Sequence, residues 1–125
     1  MMSITRELRH FESIFLEPTA DPFAARARVF DLLEELDFAG HPILGAACVL
    51  HALDGAGDAA HWTLQLCARS VEVDTIRRDG HFTATMDQGR AEYLGVVPGD
   101  RVVEIAAALS LGANDLDPAL TLEVV

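Results

Sequence analysis

Two cysteines and five histidines are the side chains best suited to chemistry in this chain of 125 residues. Cys48 and His51 stand three apart, so a helix through them would put thiol and imidazole on one face, within reach of a metal shared with His61 or Cys67. Structural zinc needs four such ligands. No close second pair is visible, so the expectation is no metal, with cysteine acting as a small buried hydrophobe. A thiol nucleophile with a histidine base assembles in space rather than in sequence, and nothing local supports one. Ser70 lies outside any G-x-S-x-G context. The stretch Gly55-Ala56-Gly57-Asp58-Ala59-Ala60 has the spacing of a dinucleotide-binding loop. It leads into an alternating strand at Trp62 instead of opening a helix, and Asp54 and Asp58 would repel a pyrophosphate. All nine basic residues are arginine, which removes Schiff-base and P-loop lysines from consideration. The paired carboxylates Glu34-Glu35 and Asp115 with Asp117 are sequence neighbours, not groups held across a cleft with split pKa values. Five histidines (His10, His41, His51, His61 and His81) are many for this length; His61 and His81 stand at strand starts and could sense pH, with solvated surface as the default. No cofactor is expected.

Charge narrows the partners. The formal net charge is −11 and the sequence pI about 4.6. Such a field repels nucleic-acid phosphates and anionic lipid and favours a basic protein or peptide. Half the residues are hydrophobic (50%), which argues against disorder and leaves apolar surface for self-association, a two-fold homodimer being the commonest outcome. No apolar run reaches transmembrane length and the N-terminus lacks a signal-peptide pattern, so a cytoplasmic protein with reduced thiols is expected. Arginine without lysine, with abundant alanine, points to a GC-rich bacterial genome.

The elements that would position these groups follow from periodicity. Residues 3–17 place Ile4, Leu8, Phe11 and Phe15 on one face, with Arg6, Glu7, Arg9, Glu12 and Ser13 opposite, and predict a first amphipathic helix ended by Pro18. Residues 21–40 predict the central helix, with Asp21 as N-cap, Pro22 in the first turn, an apolar stripe through Phe23, Ala27, Phe30 and Leu33, and a stop at Gly40 and Pro42. Residues 42–53 are apolar on every side. They read as a strand, with a buried helix as the alternative, running into a hairpin loop at 54–58. From His61 the alternation is plainly β: Trp62, Leu64 and Leu66, then Val71 and Val73 after a change of parity near Arg69-Ser70. Asp79-Gly80 signals a two-residue hairpin turn before Phe82, Ala84 and Met86. A short helix is expected over 88–94, a tight turn at 97–100, a strand or a strand running into a helix over 101–109, and a final strand over 120–124.

The predicted fold class is α+β, a single domain over 1–125 with an N-terminal helical hairpin packed on a mainly antiparallel β-sheet. The first functional reading is an acidic protein-binding module, immunity-protein-like or chaperone-like, that captures a basic partner through Asp31, Glu34, Glu35 and Asp37 at the end of the central helix. The alternative is a small-ligand or regulatory domain with a pocket between helices and sheet near Trp62, His81 and Tyr93. The third is an enzyme whose residues converge only in the fold.

Overall fold

The computed structural model describes every residue except Ala56, on which part of the Gly55–Ala60 motif falls. The chain divides into two compact units, 1–88 and 89–125.

The first unit opens with helix α1 (Met2–Leu8), stopped by Arg9 in the left-handed conformation (φ 53°). Six strands and one long helix follow: β1 (Ser13–Pro18), β2 (Ala24–Phe30), β3 (Glu35–Leu36), α2 (Gly40–Asp54), β4 (Ala59–Gln65), β5 (Ser70–Arg78) and β6 (His81–Met86). The sheet order is β1-β2-β4-β5-β6. Every pairing is antiparallel except β2 with β4, which is parallel and spanned by the crossover through α2. Strand β3 pairs with the far end of β2. The class is therefore α+β with a mainly antiparallel sheet.

The N-terminal helical hairpin is not present. Of the first predicted helix only 3–8 is helical, as part of α1, and the segment 21–40 holds two strands. The overlooked signal is a period of two. In β2, Ala25, Ala27 and Val29 are buried while Arg26 and Arg28 point away. Asp21 does not cap a helix. Its Oδ1 accepts the Phe23 N–H at 2.9 Å, and the Ala24 N–H bonds to the Asp21 carbonyl at 3.1 Å, forming a turn. Aspartate followed by proline serves a turn as readily as a helix start. Gly40 and Pro42, read as a stop, stand in the first turn of α2, where a proline lacks only an N–H that has no intrahelical acceptor.

Residues 42–53 are helical, not extended. Alanine costs a helix least, and fifteen residues form a rod about 22 Å long. Ile43, Ala46, Ala47 and His51 make its buried face. Gly55 ends it at φ 68°, donating its N–H to the His51 carbonyl. Five strands laid flat would span about 19 Å between the outer strand axes, twice the width of a helix backbone with side chains. Yet both edge strands, β1 and β6, touch α2. The sheet must curl around the helix.

The core lies in that curl. Ala25, Ala27, Trp62, Leu64, Val71 and Val73 from the sheet meet Ile43, Ala46 and Ala47, with Ile14 and Leu16 of β1 alongside. Trp62 is buried and donates its indole N–H to Thr75 Oγ1 at 3.0 Å; that hydroxyl in turn bonds to the Ala60 carbonyl. The C-terminal strands follow the sequence expectation. A four-residue turn between the paired residues Gln65 and Ser70 switches the buried parity. Asp79 (φ 51°) and Gly80 (φ 77°) form the two-residue turn between Arg78 and His81, both with positive φ as a type I′ turn requires.

The second unit contains strand β7 (Gly95–Val96) paired with β8 (Glu123–Val124), helix α3 (Gly99–Ala108) and a short 3-10 turn at Ala113–Asp115. Residues 88–94 are not helical, and 101–108 belong to α3, so the strand expected within 101–109 is not there. Pro98 caps that helix by position, its carbonyl accepting the Arg101 and Val102 N–H groups. No helix among the described residues is long and apolar enough to cross a membrane.

Candidate active site

The chemistry gathers where β1 begins and α2 begins. Glu12 immediately precedes β1 and continues the parity of Ile14 and Leu16, which face the core. Its side chain is 14% exposed, and Oε2 is buried with no hydrogen-bond partner. His41, in the first turn of α2, brings Nε2 to 3.2 Å from that oxygen, out of line for a hydrogen bond. A buried acceptor without a hydrogen bond is costly, so native structures keep few of them. The start of a helix carries partial positive charge, and α2 has no side-chain cap there. Glu12 and His41 open on a cleft of about 400 Å³, walled by Ile14 and Leu16 of β1 and by Gly45 and Val49 of α2.

The connector 31–40 delivers the start of α2 to this point. Asp31 Oδ1 accepts the Leu33 and Glu34 N–H groups at 2.7 and 2.6 Å, and these bonds hold its carboxyl below the usual range. Arg28 grips Glu35 with both arms, at 2.8 and 2.6 Å. That pair pulls the Glu35 carboxyl down and pushes the Arg28 guanidinium up. Arg6 of α1 donates to the Leu32 carbonyl at 2.9 Å and the Leu33 carbonyl at 3.4 Å. Arg69, in the turn after β4, lies over the Phe38 ring at 4.3 Å.

Asp31, Glu34, Glu35 and Asp37 thus sit on a connector and a two-residue strand, not at a helix end. Asp31 and Glu35 are engaged within the chain; Glu34 and Asp37 are exposed. Of the proposed pocket residues, Trp62 is core, His81 opens β6 on the surface, and Tyr93 belongs to the second unit and is exposed. Cys48 and Cys67 are free thiols, and burial pushes the Cys48 thiol up. His51 is buried, edge-on to Phe82. No group of three or more His, Cys, Asp or Glu among the described residues could hold a metal ion. His61 is clasped between Glu72 and Asp74 at 2.8 and 2.7 Å, which raises its pKa, the Asp74 bond foremost.

Sequence reasoning placed Glu12 on the polar face of a helix and missed it. The recoverable signal was the strand reading of 13–18, in which Glu12 shares parity with Ile14 and Leu16.

A curled, mainly antiparallel sheet wrapped on one helix, with a buried carboxylate beside the helix start, defines an α+β domain with a carboxylate–imidazole pair at its mouth. Residues 1–113 match the PhzC-PhzF family, phenazine biosynthesis-like proteins, and the chain belongs to that family. It is 30% identical over 125 residues to an uncharacterised isomerase of Salmonella typhimurium, across 99% of this chain and 41% of that protein. It is 31% identical over 117 residues to an uncharacterised isomerase of Mesorhizobium japonicum, across 93% and 38%. The structure of a predicted epimerase from Pseudomonas aeruginosa superposes with a TM-score of 0.86 at 50% identity, across 98% of this chain and 43% of that one. A PhzF-family protein of Bacillus anthracis, at 21% identity and TM-score 0.79, shares the fold. The chain spans about two-fifths of the length of these relatives.

These likenesses overturn the reading of an acidic module that captures a basic protein or peptide. The acidity that suggested it has an internal use in part, since Glu35 already has its basic partner in Arg28. Net charge describes solubility and association, not chemistry.

Proposed function

We propose that this chain carries acid–base machinery of a proton-transferring isomerase, with Glu12 taking up and returning a carbon-bound proton and His41 as its partner. The observation that carries the reading is Glu12 Oε2: buried, without a hydrogen bond, and open to a cleft at the start of α2. Isomerisation and epimerisation move a proton with no net oxidation. The C–H bond breaks, its electron pair stays on the substrate, and the proton goes to a base that later returns it to another carbon or another face. A carboxylate oxygen with an uncommitted lone pair suits that step. His41 is close enough to hold the carboxylate in one orientation. Ile14, Leu16 and Val49 suit a small molecule with a hydrocarbon portion. The relatives' printed descriptions as isomerases and an epimerase support the same class of reaction. A cytoplasmic setting, compatible with the two free thiols, belongs to this reading.

The test is solvent-deuterium uptake. A panel of small carboxylic acids bearing a C–H next to a carbonyl or a double bond is incubated with the protein in D2O and followed by mass spectrometry. Uptake by at least one compound, lost in Glu12→Gln with unchanged melting temperature, is the expected result. Wild-type protein inert across the panel, or a Glu12→Gln variant as active as wild type, would refute the reading.

A further inference from the structure

Three arginines from three separate elements converge on the connector 31–40. Arg6 of α1 holds two of its carbonyls, Arg28 of β2 holds Glu35, and Arg69 of the β4–β5 turn covers Phe38. A third of the protein's nine basic residues is spent on ten residues of chain. The connector has little else to fix it. It contains a two-residue strand, and after that strand Asp37 is exposed, Phe38 is half-buried against the core and Ala39 is buried. Its last residue, Gly40, is the first of α2, and the next is His41.

We propose that Arg69, acting through Phe38, is a positioning residue that sets the approach of His41 to Glu12; the proposal rests on the reading of that pair as the proton-transfer site. The lever is short. Phe38 stands three residues before His41, and its ring packs against the core on one side while the Arg69 guanidinium covers it at 4.3 Å. Arg69 is itself held by the tight turn in which its carbonyl accepts the Leu66 N–H at 2.8 Å. The turn belongs to the β4–β5 hairpin, paired over seven residues, so the guanidinium is delivered by a rigid part of the sheet. The Arg28–Glu35 and Arg6 contacts fix the earlier part of the connector, leaving Phe38 as the last large side chain packed on the core before the helix, with only the small Ala39 after it. Removing the cover frees Phe38 to tilt, and Ala39, Gly40 and His41 move with it.

The experiment reads the pair directly. In the full chain, the 15N resonance of His41 Nε2 is recorded at fixed pH for wild type, Glu12→Gln, Arg69→Ala, Arg69→Lys and Arg77→Ala. Glu12→Gln defines the signal of a broken contact. Arg77, whose guanidinium lies 3.6 Å from the Asp58 carboxylate, is the control for loss of a surface arginine. Arg69→Ala is expected to move the signal part-way to that of Glu12→Gln, reflecting about a two- to fivefold loss of the paired geometry, the factor an exposed cation–π contact supplies. Arg69→Lys should recover most of it and Arg77→Ala should leave it in place. An Arg69→Ala signal at the wild-type position, or an equal displacement in Arg77→Ala, would overturn the proposal. Since this readout needs no substrate, it tests the coupling of Arg69 to the His41–Glu12 approach apart from the deuterium test, and its failure leaves the proton-transfer reading standing.

Discussion

Replacing Thr75 with valine removes one oxygen from the core and should cost far more than its size suggests. Thr75 and Trp62 are 1% and 2% exposed, and the Trp62 N–H reaches the Thr75 hydroxyl at 3.0 Å. Valine has nearly the same shape, so no cavity opens. What changes is that a buried indole N–H loses its acceptor, at a cost of about 1–3 kcal/mol. The hydroxyl's own bond to the Ala60 carbonyl, at 3.2 Å, disappears as well. In a unit of this size each kcal/mol shifts the melting temperature by about 4–8 °C, so Thr75→Val should melt roughly 5–20 °C below wild type. Thr75→Ser keeps the hydroxyl and loses one methyl group, for which about 1 kcal/mol is expected. The assay is thermal and urea unfolding of wild type, both single variants and Trp62→Phe with and without Thr75→Val. The phenylalanine background has no N–H to strand, so the valine substitution should cost less there, a coupling of order 1 kcal/mol. The reasoning fails if Thr75→Val lies within 0.5 kcal/mol of wild type, or if the cycle closes without coupling.

Two further outcomes follow from the same structure. His61, held between Glu72 and Asp74, has its pKa raised above 6.5. Its contribution to stability is therefore complete below about pH 6.5 and lost as pH rises through the higher folded value. The group is solvent-exposed, so the gain is small; His61→Asn should lower stability at pH 5.5 more than at pH 9, and a uniform difference across that range would contradict the linkage. Gly80 sits at φ 77° in the β5–β6 turn. Gly80→Ala should lose about 1–2 kcal/mol by urea unfolding and Gly80→Asn much less; equal losses would show that left-handed backbone is not the cause.

The sequence by itself determined the half of the sheet built from local contacts. The β5–β6 hairpin was legible because Asp79 and Gly80 are adjacent residues whose chemistry selects the turn, and the strands on either side alternate cleanly. The antiparallel β4–β5 pair was legible for the same reason, its partners separated by a four-residue turn. Tertiary structure decided the N-terminal half. An alternation of alanine with arginine over Ala24–Phe30 is weak as a strand signal and passes for a helix. What makes it a strand is β1 on one edge and β4 on the other. The β4 partner lies some forty residues away in sequence and is reached only by the crossover through α2. With the strands supplying that surface, the alanine-rich segment 40–54 becomes the helix they wrap, and its first turn brings His41 to Glu12 across twenty-nine residues of chain. The site was invisible for the same physical reason. One glutamate and one histidine on separate elements have no spacing to recognise, and burial, which makes the Glu12 oxygen unusual, is a property that only the packed fold confers.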